Sequence, residues 1–333
     1  MNIAVRDDVS SSEWQRLVDR TETSTAFHQT EWLNAAAAAS KLEGIRLILE
    51  SDGEALAGLP LFRKQVGPVR GVLSPPPALG IEYLGPLIVR ATIGTASDER
   101  RYLMVLQKLL AWIDERFRPS IVYFRMVPGV NDARPLRWNG YAVEPLYTYV
   151  VDVPRTPEIG LQSLDRSLRS DITRTANRVS VRAGGAELLA SIRAFVAAAH
   201  KAHGSRLLLP QSYLDELYAK LGPGSFQPIG AYTPAGLEAA AVVLFRGDRA
   251  IYWQGAVGPH HSQLPLTSHL VWSSILLARE RGYQQLEIAG ANTPRLVEFK
   301  SKFRPRLESY FQASKATVGG RVALLALRRF RRR

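Results

Sequence analysis

The chain contains no cysteine. Disulfides, thiolate-bound zinc and a cysteine nucleophile are therefore excluded, and any covalent chemistry must come from oxygen or nitrogen groups. No GxGxxG follows a strand-like run, no GxxxxGK[ST] is present, and neither HExxH nor an acidic calcium loop occurs. These absences remove dinucleotide oxidoreductases, P-loop enzymes and the common zinc hydrolases. Histidine is scarce, with six residues. His200 and His203 stand at helical i, i+3 and His260 and His261 adjoin in a loop, but neither pair has a third ligand nearby, so no metal is expected. Long hydrophobic runs are also missing: no window approaches the ~20 apolar residues of a membrane span. The start, MNIAVRDDVSSSEWQRL, has neither the basic opening nor the apolar centre of a secretory leader, so a cytoplasmic location is expected.

Positive charge is plentiful. Lys and Arg number 43 against 30 Asp and Glu, a formal net charge of +13 over 333 residues. Such a balance favours an anionic partner: a nucleic acid, a phosphate-bearing cofactor or a lipid headgroup. The last residues, RVALLALRRFRRR, join Val322, Leu324, Leu325, Leu327 and Phe330 to Arg321, Arg328, Arg329, Arg331, Arg332 and Arg333. A short segment of this kind, residues 319–333, either lies on an anionic membrane surface, at the inner face, or docks as a basic tail on its own protein.

The length fits two domains of ordinary size, and the 46% hydrophobic content is that of a folded chain. SSEWQRLVDRTE and FHQTEWLNAAAAASKL read as helices, the second with Thr30 as its cap. IRLILE and ALAGLPLFRKQ read as a hairpin turning at Asp52-Gly53. The proline-stiffened SPPPALGIEYLGPLIV leads into another strand, DERRYLMVLQKLLAWIDERF is a long amphipathic helix, and IVYFRMVP and YAVEPLYTYVVDV are strands. Past Pro154 the order starts again. LQSLDRSLRSDITRTANRV, GAELLASIRAFVAAAHKAHG and PQSYLDELYAKLG read as helices; FQPIGAYT, LEAAAVVLFRGDRA and IYWQGAV as strands; PLTSHLVWSSILLARERG as a long helix. YQQLEIAG as a strand, TPRLVEFKSKF as a helix and LESYFQASK as a closing strand complete it. Both segments run helices, a three-strand antiparallel meander, a long helix and a strand, so the chain reads as a duplicated α/β unit with mixed sheets, divided as 1–153 and 154–318.

Chemistry concentrates toward the end. In LEIAGANTPRLVEFKSKFRPRLESY, a strand containing Glu287 leads through a small-residue turn to a helix capped by Asn292 or Thr293, with Pro294 in its first turn. Lys300, Lys302, Arg304 and Arg306 then alternate with Phe299 and Phe303, the pattern of a lining rather than a solvated face. Lys300 follows Leu296 and Val297 by four and three residues, so its stem can cross apolar surface and its ammonium either reach a cleft or complement the helix dipole. Tyr252 and Trp253 adjoin in a strand, one expected in the core and the other lining a pocket. The loop GPHHSQLPLT precedes a helix whose first amides can cradle a phosphate.

The run from Leu286 to Phe303, with Glu298-Phe299-Lys300-Ser301-Lys302-Phe303 at its end, resembles the DxG…FKxxF signature of the FemAB-like (CelD-type) acyltransferases of the GNAT superfamily. FHQTEWL is similar to that family's N-terminal Phe-x-x-x-x-Trp segment, and HGSRLLLPQSYLDELYAKL and IYWQGAV to its C-terminal half. Here Glu287 stands for the commoner Asp, Arg304-Pro305 where a Gly often follows, and GPHHSQLPLT lacks the superfamily's Q/R-x-x-G-x-G/A loop. The resemblance implies two tandem GNAT-like domains and transfer of an acyl group to an amine or hydroxyl of a cell-envelope or polysaccharide-related acceptor. It implies acyl-CoA (acetyl-CoA) as donor, with aminoacyl-tRNA as the alternative, FemX-type donor. It also implies a catalytic pair, Lys300 and Glu287, with Tyr252, Trp253, Asn292, Arg295, Lys302 and Arg304 binding donor or substrate. Lys300 would hold a phosphate or stabilise developing negative charge, and Glu287 would orient the pocket. The rival from another class is a non-catalytic module gripping RNA or a membrane surface; DNA is not an expected partner.

Overall fold

The computed structural model describes residues 3–90, 93–130, 132–204, 207 and 209–323. Most of the basic tail, from residue 324 onward, lies outside the described residues. Two compact units are formed: Met1–Pro77, Ile81–Leu146 and Ser309–Arg333 make unit 1, and Ala78–Gly80 with Tyr147–Glu308 make unit 2.

Unit 1 runs β1 (Ile3–Arg6), α1 (Ser11–Arg20), α2 (Thr30–Ser40), β2 (Glu43–Ser51), β3 (Glu54–Val66), β4 (Val69–Ser74), β5 (Leu87–Ile88), α3 (Ala96–Phe117), β6 (Ile121–Arg125) and α4 (Arg134–Trp138), and enters β7 (Ala142–Asp152). Local chemistry sets these boundaries. Ser10 and Glu13 cap α1 reciprocally, and Thr95 and Asp98 do the same for α3. Asp52 and Gly53 both take positive φ, 49° and 84°, which gives the β2–β3 hairpin the twist it needs. Thr30 opens α2 rather than capping it; Gln29 holds the cap position. The short strands β1 and β4 carry too few residues for periodicity to reveal them.

Unit 2 continues with α5 (Pro157–Ser163), α6 (Arg166–Thr175), β8 (Ser180–Ala183), α7 (Leu189–Ala202), α8 (Gln211–Ser225), β9 (Phe226–Thr233), β10 (Gly236–Arg246), β11 (Arg249–Val257), α9 (Leu266–Glu280), β12 (Gln285–Glu287), α10 (Pro294–Lys300) and β13 (Arg306–Ala316). The single helix expected over 161–179 is two helices. The Asp165 side chain accepts from Ser167 N at 2.8 Å, starting α6 afresh and ending continuity with α5. Helix α9 buries Leu266, Leu270, Val271 and Ile275 in the core cluster with Ala239, Ala241, Val243, Phe245, Ala250 and Tyr252 of the sheet.

The sheets repeat one pattern. In unit 1 the order is β1-β2-β3-β4-β6, closed by β13, and in unit 2 it is β8-β9-β10-β11-β12, closed by β7. Each has an antiparallel meander followed by a parallel pair, β4 with β6 and β11 with β12. The repeat is thus visible strand by strand. The closing strands depart from the expected division at 153/154: Val150–Asp152 of β7 pair with β12, whereas Gln312–Ala316 of β13 pair with β6 of unit 1. A strand joins whichever open edge its register satisfies, not the segment it follows in sequence. Tyr310 and Ala313 are buried in unit 1, Tyr310 edge-on to Tyr83. Removing residues 309–333 should therefore expose the β6 edge and destabilise unit 1. Hydrogen exchange is expected to show lost protection at Ile121–Arg125 with protection retained at β10 and β11.

Candidate functional site: a gap between parallel strands

Strands β11 and β12 pair in parallel over three positions, Arg249↔Gln285, Ala250↔Leu286 and Ile251↔Glu287, and then part. Strand β11 continues to Val257, while after Glu287 the chain turns away. Ala289 and Gly290 both take positive φ, 45° and 58°, a cost for alanine that a tightly held turn must offset. The turn follows β7: Ile288 N donates to Tyr149 O at 2.8 Å and Ala291 N to Tyr147 O at 3.2 Å. Asn292 extends that ladder with its side chain, accepting from Tyr147 N at 2.8 Å and donating to Tyr147 O at 2.9 Å.

Lys300 closes the turn from the other side. Helix α10 starts at Pro294 after Thr293, whose side chain makes no cap bond, and ends in a 3-10 turn over Ser301–Phe303. Phe303 enters the core, with Phe299 edge-on to it at 5.7 Å. That anchorage leaves Lys300 only 9% exposed, its ammonium donating to Ala289 O at 2.5 Å and reaching Gly290 O at 3.5 Å. A buried cation is thus held by carbonyl dipoles at the gap, as burial of an ammonium requires.

Glu287, 1% exposed, ends the paired stretch. Thr148 Oγ1 donates to its carboxylate at 2.7 Å, and Arg249 lies 3.6 Å away while also bridging to Glu308 at 2.9 Å. Burial alone would raise the Glu308 carboxyl, but the hydrogen bonds and charge of Arg249, with Arg306, outweigh it and hold the group below its ordinary range. Thr148 and Arg249 were not singled out from sequence; no local motif marks them, because strand pairing brings them to Glu287.

Trp253 is buried against Phe226 of β9 and Tyr252 lies in the core cluster, so the two adjoining rings are both inside, on different surroundings. The Tyr252 hydroxyl makes no hydrogen bond among the described residues, and burial pushes it well above the ordinary phenol range. Arg295, in the first turn of α10, meets the His203 imidazole at the end of α7. Lys302 is half-buried and Arg304 exposed with φ 52°, while Arg306 is exposed and pairs with Asp152 and Glu308. The alternating cations therefore do not form one lining: a 3-10 turn and a left-handed residue break the helical spacing after Lys300.

The loop from Gly258 to Pro265 is tied down by a carboxylate. Glu238 accepts from Ser262 Oγ at 2.5 Å and from Ser262 N at 3.2 Å, and these bonds hold its carboxyl below the ordinary range. His269 on α9 shares a hydrogen bond with Thr175 at 2.8 Å, and burial lowers its pKa.

Unit 1 has the corresponding parallel pair, with β4 facing β6 from Gly71↔Ile121 to Ser74↔Phe124. There the next carbonyl of β6, on Arg125, accepts from Leu84 N at 3.1 Å and Gly85 N at 3.2 Å. His28 Nε2 lies 3.0 Å from Leu84 O, and Tyr83 packs against Phe27 and Tyr310. The unit's own chain fills the space that is a gap in unit 2.

Comparison with known proteins agrees with this fold. Residues 162–301 match the family model described as "Acetyltransferase (GNAT) domain". Similar solved structures include FemX, at 13% identity and a TM-score of 0.70 over 93% of this chain and 97% of that one. The C-terminal domain of a putative lysylphosphatidylglycerol synthetase from Agrobacterium fabrum aligns at 14% identity and 0.58 over 95% and 96%. A tandem GNAT protein from the clavulanic acid biosynthesis pathway aligns at 12% and 0.52 over 94% and 98%. No curated protein is similar in sequence. Residues 162–301 thus carry a GNAT acetyltransferase domain, and the chain as a whole shares the fold of tandem GNAT proteins. Among the described residues no helix is long and apolar enough to cross a membrane.

Two outcomes follow. Lys300→Met keeps the stem and removes the ammonium; hydrogen exchange over residues 288–293 should accelerate, and urea unfolding should show a loss of about 1.5–3 kcal/mol, the range for a charge-assisted bond. His269 binds its proton less readily folded than unfolded, so its contribution is complete above the unfolded value of about 6.5 and is lost as pH falls below it. Urea midpoints should decline from pH 7 to pH 5, with a shallower slope in His269→Gln.

Proposed function

We propose that the gap between β11 and β12 of unit 2 is the donor site, and that the protein transfers an acyl group from acyl-CoA to an amine or hydroxyl of an envelope or polysaccharide molecule. The observation that carries this reading is the parting of the strands. Past Ile251, β11 has no strand partner on its β12 side among the described residues, so its main-chain groups can pair with an extended, amide-bearing arm as an added strand would. The acceptor's nucleophile attacks the thioester carbonyl, the new C–N or C–O bond forms, the C–S bond breaks, and the nucleophile's proton leaves to the departing thiolate.

Of the two roles expected of Lys300, charge stabilisation suits a buried ammonium better than gripping a phosphate carried in solvent. In this reading Lys300 fixes the Ala289–Gly290 turn and lends positive charge to the gap where the carbonyl oxygen becomes negative. Glu287, held by Thr148 and Arg249, positions the same vertex. Asn292 secures the turn to β7.

A specific observation favours aminoacyl-tRNA as the second reading. The Gly258–Pro265 loop lacks the superfamily's pyrophosphate pattern and holds the Glu238 carboxylate, whose charge opposes a pyrophosphate. Titration of the full chain with coenzyme A, and separately with charged and uncharged tRNA, decides between them. Under the leading reading coenzyme A binds in one equivalent per chain, since unit 1 is filled, and Lys300→Ala weakens it. Preference for charged tRNA without coenzyme A binding would replace the donor, and two equivalents would refute the assignment to unit 2 alone.

A further inference from the structure

Helix α4 is too short to cover the sheet beside it. It spans five residues, Arg134–Trp138, held down by the buried Pro135 and Leu136, and the chain turns off at Gly140, where φ is 79°. In unit 1, β13 lies between β6 and β7, and side chains along each strand alternate between the two faces. Glu144 of β7 and Gln312 of β13 meet on one face, Gln312 Nε2 donating to the Glu144 carboxylate at 3.3 Å. Val143, Pro145 and Phe311 therefore take the other face. There, with Asp132, Arg134 and Arg137, they line a cleft of about 560 Å³, within the size range of small-molecule sites. All six residues belong to unit 1.

The charges lining this cleft do not cancel. Arg134 is occupied, bridging Asp132 at 2.8 Å and Glu99 at 2.5 Å, with its guanidinium over the Trp138 ring at 5.7 Å. Arg137 is exposed, and its side chain makes no ion pair or hydrogen bond among the described residues. The cleft thus sets an apolar wall opposite one uncompensated positive charge. A guanidinium takes a carboxylate through two parallel N–H donors, and an apolar wall gains with each methylene that leaves water. A phosphate monoester carries close to two charges at neutral pH and would leave one of them facing the Asp132 carboxylate.

We propose that this cleft is a binding site for a monocarboxylate with an apolar body, of the kind of a medium-chain fatty acid. Arg137 takes the carboxylate, and Val143, Pro145 and Phe311 receive the chain. Because its residues are all in unit 1, the inference stands apart from the reading of the unit 2 gap as the donor site.

The test titrates the full chain by calorimetry with sodium octanoate, sodium hexanoate, octyl phosphate and octanol, for the wild type, Arg137→Gln, Arg137→Lys and Pro145→Glu. Arg137 and Pro145 are both exposed, so these variants should fold. The wild type should take one equivalent of octanoate, roughly tenfold more tightly than hexanoate, the worth of two buried methylenes. Octyl phosphate and octanol should bind more weakly than octanoate. Arg137→Gln should weaken octanoate about tenfold, as loss of a charge-assisted bond does; Arg137→Lys should weaken it less, and Pro145→Glu should weaken it by placing a second acid in the cleft. Hydrogen exchange with octanoate bound should slow over residues 134–140 and stay unchanged over β10 and β11. A folded Arg137→Gln that binds octanoate as the wild type does would overturn the inference. So would octyl phosphate or octanol matching octanoate, or a wild type that binds no octanoate.

Discussion

The separation of β12 from β11 is the constraint on which the candidate site depends. Two parallel strands that have begun to pair gain a hydrogen bond with each further residue, so parting them needs a competing partner. Here β7 supplies it. Ile288, Ala291 and the Asn292 side chain all bond to its main chain, and the left-handed Ala289 and Gly290 carry the chain across. Lys300 adds the charge-assisted bonds that offset this strained turn. Without β7 beside β12, the same sequence would have no reason to leave β11.

Duplication shows how little separates a filled space from an open one. Both units use a meander, a long helix and a parallel pair, and in both the pair runs out after a few residues. In unit 1 the chain after β4 returns through Glu82–Gly85, whose amides take the Arg125 carbonyl. In unit 2 the chain after β11 goes directly to α9, and the corresponding polar main chain is left at a gap. A returning segment with a buried tyrosine thus occupies the end of the parallel pair in unit 1.

Much of this was legible in the sequence. Capping residues, the Asp52-Gly53 turn and the amphipathic helices placed most elements, and the order of elements exposed the repeat. FKSKF located the lysine that governs the turn. Three kinds of information were out of reach. The short strands β1, β4 and β8 have too few residues to show a period. The closing strands pair by edge, so a boundary drawn at 153/154 could not assign β13. Thr148 and Arg249 owe their importance to partners far along the chain. The alternation of cations with aromatics misled for a related reason: spacing speaks for one face only while the helix lasts, and Arg304 already lies beyond it.

The charges around the gap form an ordered set. Glu287 and Lys300 are both buried, and in a poorly screened setting each is felt over a longer range than in water. A negative charge developing at the gap would be favoured by the ammonium and opposed by the carboxylate, so an unpartnered Glu287 would undo what Lys300 contributes. Thr148 and Arg249 answer that difficulty by donating to the carboxylate and setting a cation beside it, with Glu308 in turn balancing Arg249. The carboxylate then acts as a fixed structural group at the vertex, and the net field in the gap is left to the lysine and the main-chain amides. On this argument the demand of the site is not an acid at position 287 alone but an acid whose charge is already spent.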